Sequence, residues 1–478
     1  MEQETNYDNQ PGASEQEAKE LIRHLNQGES IYFDVDQYEG YIDFFIQKDQ
    51  LSNALRINEY AIKQHESSVS LWIKKSQIIF NLGRINEAIE LAQHCLMFEP
   101  TNAELYYLIG TGYLNNNNTS KAKSYFDQAL TCESEHIDEI LFNIGYAYEQ
   151  VFDYESAITF FRGAIRKNNQ NINAIYDLAY CYDKIENYKK AVWAYKHYLE
   201  IDPYNTSVWF NLGIALNHLE KADEALEAYD YALAINEKHT SALFNKANIL
   251  ANQLNYDDAI EAYKAYLELD PESDEAYCYL ADCFFNKRDY ESAIHTYKEA
   301  IKINAENDSA WYGGALILLL TEEYDQCMTF LKQTVKINPD ISDYWISIGK
   351  VALMLNHYEE GEYAFEKAIF LTPKEPEVWA EMAAFYHHYD QTAMAVDTLK
   401  RSSAFIQNDA ELCYALAGYA FIDSQYNYGY KYLERAISID RNAIDNLFFE
   451  LFPEMEKLEQ VKEVMQNHNI KHLIATKH

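Results

Sequence analysis

A 34-residue period runs through this 478-residue chain and constrains its fold more than any other feature. Rows begun at Val35, Val69, Ala103, Asp138, Ile172, Thr206, Thr240, Asp274, Asp308, Ser342, Pro376 and Ala410 align as twelve copies, all of 34 residues except the third, which has 35. The spare residue is expected in the connection between Thr131 and Ile137. Position 20 of the rows reads Ala54, Ala88, Ala122, Ala157, Ala191, Ala225, Ala259, Ala293, Cys327, Gly361, Ala395 and Gly429, without one large side chain. Position 8 is nearly as strict from the second row on, with Ser76, Gly110, Gly145, Ala179, Gly213 and Ala247 as its first six members. Antiparallel helices approach closely only where one offers a small residue and the other inserts a large one, so positions 8 and 20 are expected crossing points. Position 27 (Ala129, Ala164, Ala232, Ala300, Ala368, Ala436) is expected to seat the next hairpin. Tyr198 and Tyr266 interrupt it and predict looser packing after their rows.

Glycine (15) and proline (8) are scarce, and five prolines close rows at Pro100, Pro203, Pro271, Pro339 and Pro373. Few breakers inside the rows favour helices joined by short turns. Tyrosine is abundant, at 41 residues; Tyr154, Tyr188, Tyr256, Tyr290, Tyr324, Tyr358 and Tyr426 stand where second helices should begin. There an apolar residue just before the N-cap suits a hydrophobic staple.

The net charge is −37, from 39 basic and 76 acidic residues. Such a surface repels phosphate backbones and anionic headgroups, which argues against nucleic acid and membrane insertion. It also argues against RNA reading by helical repeats of similar period. Met1-Glu2-Gln3-Glu4 has neither the basic nor the apolar region of a secretion signal, and seven cysteines include no CxxC pair. A cytoplasmic setting is expected.

The row Thr206–His239 carries Trp209, Leu212, Gly213, Ala225, Tyr229 and Ala232 in the register W-x2-L-G, A-x3-F, with Leu216 and Glu237 departing from the pattern. In these residues the chain resembles the tetratricopeptide-repeat family over residues 35–443. The resemblance implies an all-α, right-handed α–α superhelix (a solenoid) of about twelve hairpins. Residues 1–34 are then an acidic segment, with Ser14 and Glu17 as a capping box opening one helix through about Asn26. Residues 444–478 are expected as a C-terminal cap. There Pro453 stops a helix and Glu454–Gln466 restarts one with Leu458, Val461 and Met465 on one face.

The rows leave no space for a catalytic domain, and the chain has no HExxH motif and no Walker lysine. Asp34-Val35-Asp36 lacks the glycine and glutamate of a calcium loop, and His387-His388 are adjacent rather than one turn apart. No catalytic residue, metal or cofactor is expected, and function falls to a surface.

The resemblance implies that the first helix of each hairpin lines a concave groove through positions 2, 5, 6, 9, 12 and 13. In the middle rows positions 5 and 6 read Phe142-Asn143, Tyr176-Asp177, Phe210-Asn211 and Phe244-Asn245. Asparagine both donates and accepts, so a row of them suits the backbone of an extended peptide. This is similar to the asparagine ladder in the repeat arm of O-linked N-acetylglucosamine transferases, carried over to Asn143, Asn211 and Asn245 only. Asp177 departs from it and favours a basic group. The competing reading has these asparagines tie one hairpin to the next. Glu139, Glu149, Asp183, Glu275 and Asp282 add negative charge, and Leu316, Leu319, Leu320, Leu353 and Met354 make later rows apolar. The expected function is a scaffold or adaptor binding an extended or helical segment of another protein, basic or mixed basic and apolar. The alternative is a chaperone-like holder of nascent or unfolded basic chains.

Overall fold

The computed structural model describes residues 15–27, 31–132 and 136–468. Among the described residues, twenty-six α-helices follow one another with no strand, and none is long and apolar enough to cross a membrane. The chain divides into two compact units, Met1–His239 and Thr240–His478, each holding six of the rows.

Every row folds as a hairpin. First helices begin at the row starts, as in Val69–Asn81, Ile172–Lys184 and Ser342–Met354, except that the fourth, Ile137–Gln150, starts one residue early. The preceding helix ends at Thr131, so the third row's extra residue falls in the connection after it, where residues 133–135 lie outside the described set. Asn102, Asn171, Asn205 and Asn307 cap first helices, each accepting from the backbone N–H three residues on.

The turn inside each hairpin has one construction. Position 15 is left-handed in all twelve rows, from Asp49 (φ 55°) to Ser424 (φ 60°), yet only the second row uses glycine there, Gly83. The next N–H closes the first helix: Asn187 donates to the Tyr182 carbonyl at 2.8 Å, and Asn255 to that of Leu250 at 2.9 Å. This places the recurrent tyrosines one residue inside the second helix, as in Tyr154–Lys167, Tyr188–Ile201 and Tyr358–Leu371. The staple expectation is therefore corrected, because Asp153, Asn187 and His357 are the N-caps. Several of these rings reach the following hairpin instead. Tyr188 stacks on His218 at 4.3 Å between centroids, and Tyr358 meets Tyr389 at 5.0 Å.

Positions 8 and 20 are the crossing points. The alanines of position 20 from Ala54 to Ala293, and Ala395, are fully buried. Position 8 receives an aromatic ring from position 24: a Cβ on Gly110, Gly145, Gly213 or Gly349 would lie 2.5–2.7 Å from Phe126, Phe161, Tyr229 or Phe365. The first row reverses the sizes, with buried Ile42 at position 8 facing the small end of the pair, Asn58, at position 24. Asn58 is held by a 2.9 Å bond to the Leu71 carbonyl. Space at this crossing can thus be filled from either helix, although the second row has two small residues there, Ser76 and Ala92.

The loosening expected after Tyr198 and Tyr266 is not seen; their second helices contact the next first helices as the others do. Both ring hydroxyls bond the connection to the next hairpin. Tyr198 turns to Tyr176 (5.9 Å) and takes a bond from Asn205, while Tyr266 turns to Phe244 (5.3 Å) and donates to Asp270. Aspartates at position 1 tie the start of a row to its end, where the next first helix is capped. Asp138 accepts from Asn168 and Asn171, and Asp274 from Asn304 and Asn307.

Helix Glu15–Gln27 buries Ala18 and Leu21 against Tyr38, Tyr41 and Ile42 of the first row; Ser14, the expected cap, lies outside the described residues. At the other end a π-helical turn, Asp445–Phe449, and a 3-10 turn, Pro453–Lys457, precede helix Glu459–Asn467. The last helix thus begins five residues later than Glu454, because Pro453 opens a 3-10 turn of its own. Val461 and Met465 are buried as expected, Val464 joins them, and Leu458 is partly buried.

Candidate functional site

Within each unit, first helices touch their successors, as Val69–Asn81 touches Ala103–Asn115 and Asp274–Asn286 touches Asp308–Leu320. Second helices contact the following first helix more than one another, so the first helices form the more crowded face. The position 5 and 6 residues lie on them.

At position 5 the aromatics are partly buried against their own hairpins: Phe142 on Phe161, Phe210 on Tyr229, Phe244 on Tyr263, all at 5.7–6.1 Å. At position 6 the residues differ. Asn143 is exposed, whereas Asp177, Asn211 and Asn245 are half-buried. The side chain of Asn211 lies beside the Tyr176 hydroxyl of the row before it. Asn211 thus sits between two hairpins.

In the first unit, Phe142, Tyr176, Tyr198, Asp177, Asn173 and Asn205 line an open cavity of about 350 Å³. Asp177 is half-buried there, accepts no hydrogen bond among the described residues, and burial pushes its carboxyl up to about 6. Glu149, one row earlier, is pushed up to about 7 by burial and by Asp177, a shift that the 3.7 Å bond from the Cys181 thiol only partly offsets. Neither has a lysine or arginine beside it among the described residues. Asp183 keeps one buried oxygen, Oδ1, without a partner. Glu139 is exposed near His136.

In the second unit Asp282 borders a cavity of about 210 Å³ with Tyr297, Tyr312 and Tyr344, but accepts the Tyr297 hydroxyl and so has a partner. Leu319 and Leu353 pack against neighbouring cores, leaving Leu320 and Met354 as the exposed apolar side chains of that stretch. His387 bonds Thr392, and His388 lies against Tyr389. The negative positions were legible in the repeat register; which carboxylates lose water was not, because the rings that cover them come from neighbouring rows.

The pKa shifts predict a pH effect. A carboxyl raised on folding adds stability below its unfolded pKa, near 4, and loses it as pH rises through the folded value. Glu149 and Asp177 therefore favour the fold at pH 5 over pH 8. For Asp138, burial raises the pKa but the amides of Asn168 and Asn171 outweigh it, so its contribution is lost only as pH falls below about 4. The paired change Glu149→Gln, Asp177→Asn is expected to raise stability at pH 8 by about 1–2 kcal/mol, after discounting for partial exposure, and to change little at pH 5. Melting curves of both proteins across pH 4–8 check this, and an equal difference at both ends would refute it.

Residues 103–136, 138–171 and 172–205 each match one tetratricopeptide-repeat family model, and residues 194–227 match a second. Residues 234–446 match the model described as the cilia and flagella-associated protein 70 C-terminal domain. The general transcriptional corepressor ssn6 of Schizosaccharomyces pombe is 28% identical over 163 residues, covering 33% of this chain and 14% of that protein. The match thus spans about one seventh of that relative's length. Among solved structures, a tetratricopeptide repeat protein from Parabacteroides merdae shares 18% identity over 52% of this chain and 98% of its own, with a TM-score of 0.38. MamA shares 21% over 35% and 92%, at 0.34; YrrB, described as a TPR protein with an unusual peptide-binding site, shares 21% over 40% and 97%, at 0.31. With its rows folded as paired helices and its repeats matched by the family's own models, the chain belongs to the tetratricopeptide-repeat family, whose repeats build protein–protein interaction scaffolds.

Proposed function

We propose that this scaffold holds an extended, basic segment of a partner protein along the first helices of residues 138–239. The observation that carries the reading is the pair Glu149 and Asp177, half-buried carboxylates with no cation beside them among the described residues. Burying an unpaired carboxylate is costly, and a lysine or arginine from outside offsets that cost where no residue of the chain does. The surrounding charge of −37 draws basic segments in and discourages acidic ones. Exposed Asn143 adds a donor and acceptor for backbone at the edge of this stretch. Asn245, half-buried on the second unit, and Asn211, half-buried beside Tyr176, are less available for the same task.

The test is affinity capture from native cells, followed by titration of the recovered partner. Affinity is expected to fall about tenfold or more between low and physiological salt, and a similar amount in Asp177→Lys. In the triple variant Asn143→Ala, Asn211→Ala, Asn245→Ala, each lost bond removes about 0.5–1.5 kcal/mol, from binding or from folding according to what the side chain holds. Melting and affinity measured on that one protein separate the two roles, with Asn211 expected to act on melting. A partner bound equally at all salt concentrations, and equally by Asp177→Lys, overturns the reading.

A further inference from the structure

We propose that the cavity bounded by Phe142, Tyr176, Tyr198 and Asp177 is a cage for a methylated ammonium group. This deepens the function just proposed and rests on it for the source of the ligand. Tyr176 and Tyr198 meet edge to face, 5.9 Å apart with ring planes at 66°, so they form two walls of a corner. Phe142 supplies a third wall from the preceding row, and the cavity they border, open to solvent, is about 350 Å³. Ring faces carry partial negative charge and attract a cation that has shed water. Asp177 supplies the formal charge on the same lining, with no bond of its own among the described residues, and burial alone holds its carboxyl above its ordinary range. The polar neighbour Asn205 is already engaged, since its Oδ1 caps Val208 and its Nδ2 reaches Tyr198.

The inventory selects the cation. A carboxylate such as Asp177 meets two of the five donors of a guanidinium and leaves three that ask for further acceptors, and an unmodified ammonium asks for three hydrogen-bond acceptors. Beside its three rings the cavity offers one carboxylate, Asp177, and the exposed side chains of Asn173 and Ser207, so it suits a rounded, weakly hydrated cation that donates few hydrogen bonds or none. In the second unit the carboxylate beside the aromatic cavity, Asp282, takes the Tyr297 hydroxyl, and the Tyr297 ring fills the space that Gly313 leaves.

Two sources share this chemistry, a methylated lysine on a protein and a free choline-like molecule. Saturation-transfer NMR on the full chain separates them with four probes. They are choline, its neutral isostere 3,3-dimethyl-1-butanol, and a glycine-flanked peptide carrying trimethyl-lysine or unmodified lysine. Saturable binding of choline and of the trimethyl-lysine peptide is expected, about tenfold stronger than the neutral isostere and the unmodified peptide. Asp177→Asn and Tyr176→Leu are each expected to weaken it about tenfold, and Asp177→Asn, which removes a half-buried charge, leaves a folded control. Equal binding of cation and isostere, or binding untouched by both variants, overturns the cage. If the cage binds choline and not the peptide, the cage stands and the partner-segment function fails. If no probe binds while the captured partner still does, the cage fails and the scaffold function stands.

Discussion

Gly213→Leu is expected to destabilise the first unit by about 3 kcal/mol, and a second change, Tyr229→Ala, to return more than half of that loss. A Cβ on Gly213 would lie 2.5 Å from the Tyr229 ring, which is itself almost fully buried. Forcing four extra carbons into that contact distorts rotamers and backbone alike. For a unit of this size, about 3 kcal/mol corresponds to a melting decrease of roughly 6–12 °C. The rescue follows from the first row, where Ile42 is large and Asn58 small at the same two positions. If this crossing can be filled from either helix, moving the bulk from the second helix to the first is tolerated. Thermal unfolding of the two single variants and the double variant completes the cycle. A double variant no better than the sum of its parents would show that the glycine is needed for more than space.

The same pair explains why so much of the fold was legible in the chain. Close approach of two helices leaves a mark that survives in one-letter code, since only glycine, alanine, serine and cysteine fit at positions 8 and 20 in most rows. Row starts followed from those columns to within one residue. The turns were less legible. Position 15 is left-handed in every row, but Phe152, Leu254, Arg288 and Glu322 occupy it, residues that announce no turn. Without that landmark the tyrosines were placed before the N-cap instead of after it. The surface was legible in charge and not in geometry. The register put Asp177, Asn211 and Asn245 on one helix face, but the approach of Asn211 to Tyr176 spans two rows, and the ring corner beside Asp177 includes Tyr198 from a second helix. A repeat pattern specifies what recurs, and these contacts occur once.

Removing residues 444–478 is expected to unfold the twelfth hairpin and to make the shortened chain associate. The cap is part of the core of the second unit. Phe448, Phe452, Met455 and Val461 are buried among Leu416, Tyr414 and Tyr419 of the last first helix, Ala410–Ile422. Phe452 sits where the Cβ of Gly418 would be, only 2.2 Å away, so the last row is shaped to receive that ring. Each of the four side chains contributes about 1.5–3 kcal/mol by burial, and their loss re-exposes the face they covered as well. A repeat array is stabilised mainly by contact with its nearest neighbours, so the deficit falls on residues 410–443 before it reaches earlier rows. Hydrogen exchange should then show lost protection across 410–443 and near-native protection in residues 240–340. Gly418→Val tests the seat without deleting anything: it blocks Phe452, and should loosen the cap while leaving the chain at full length. A truncated protein that stays monomeric, with unchanged melting and unchanged exchange at 410–443, would mean that the cap covers the last hairpin without supporting it.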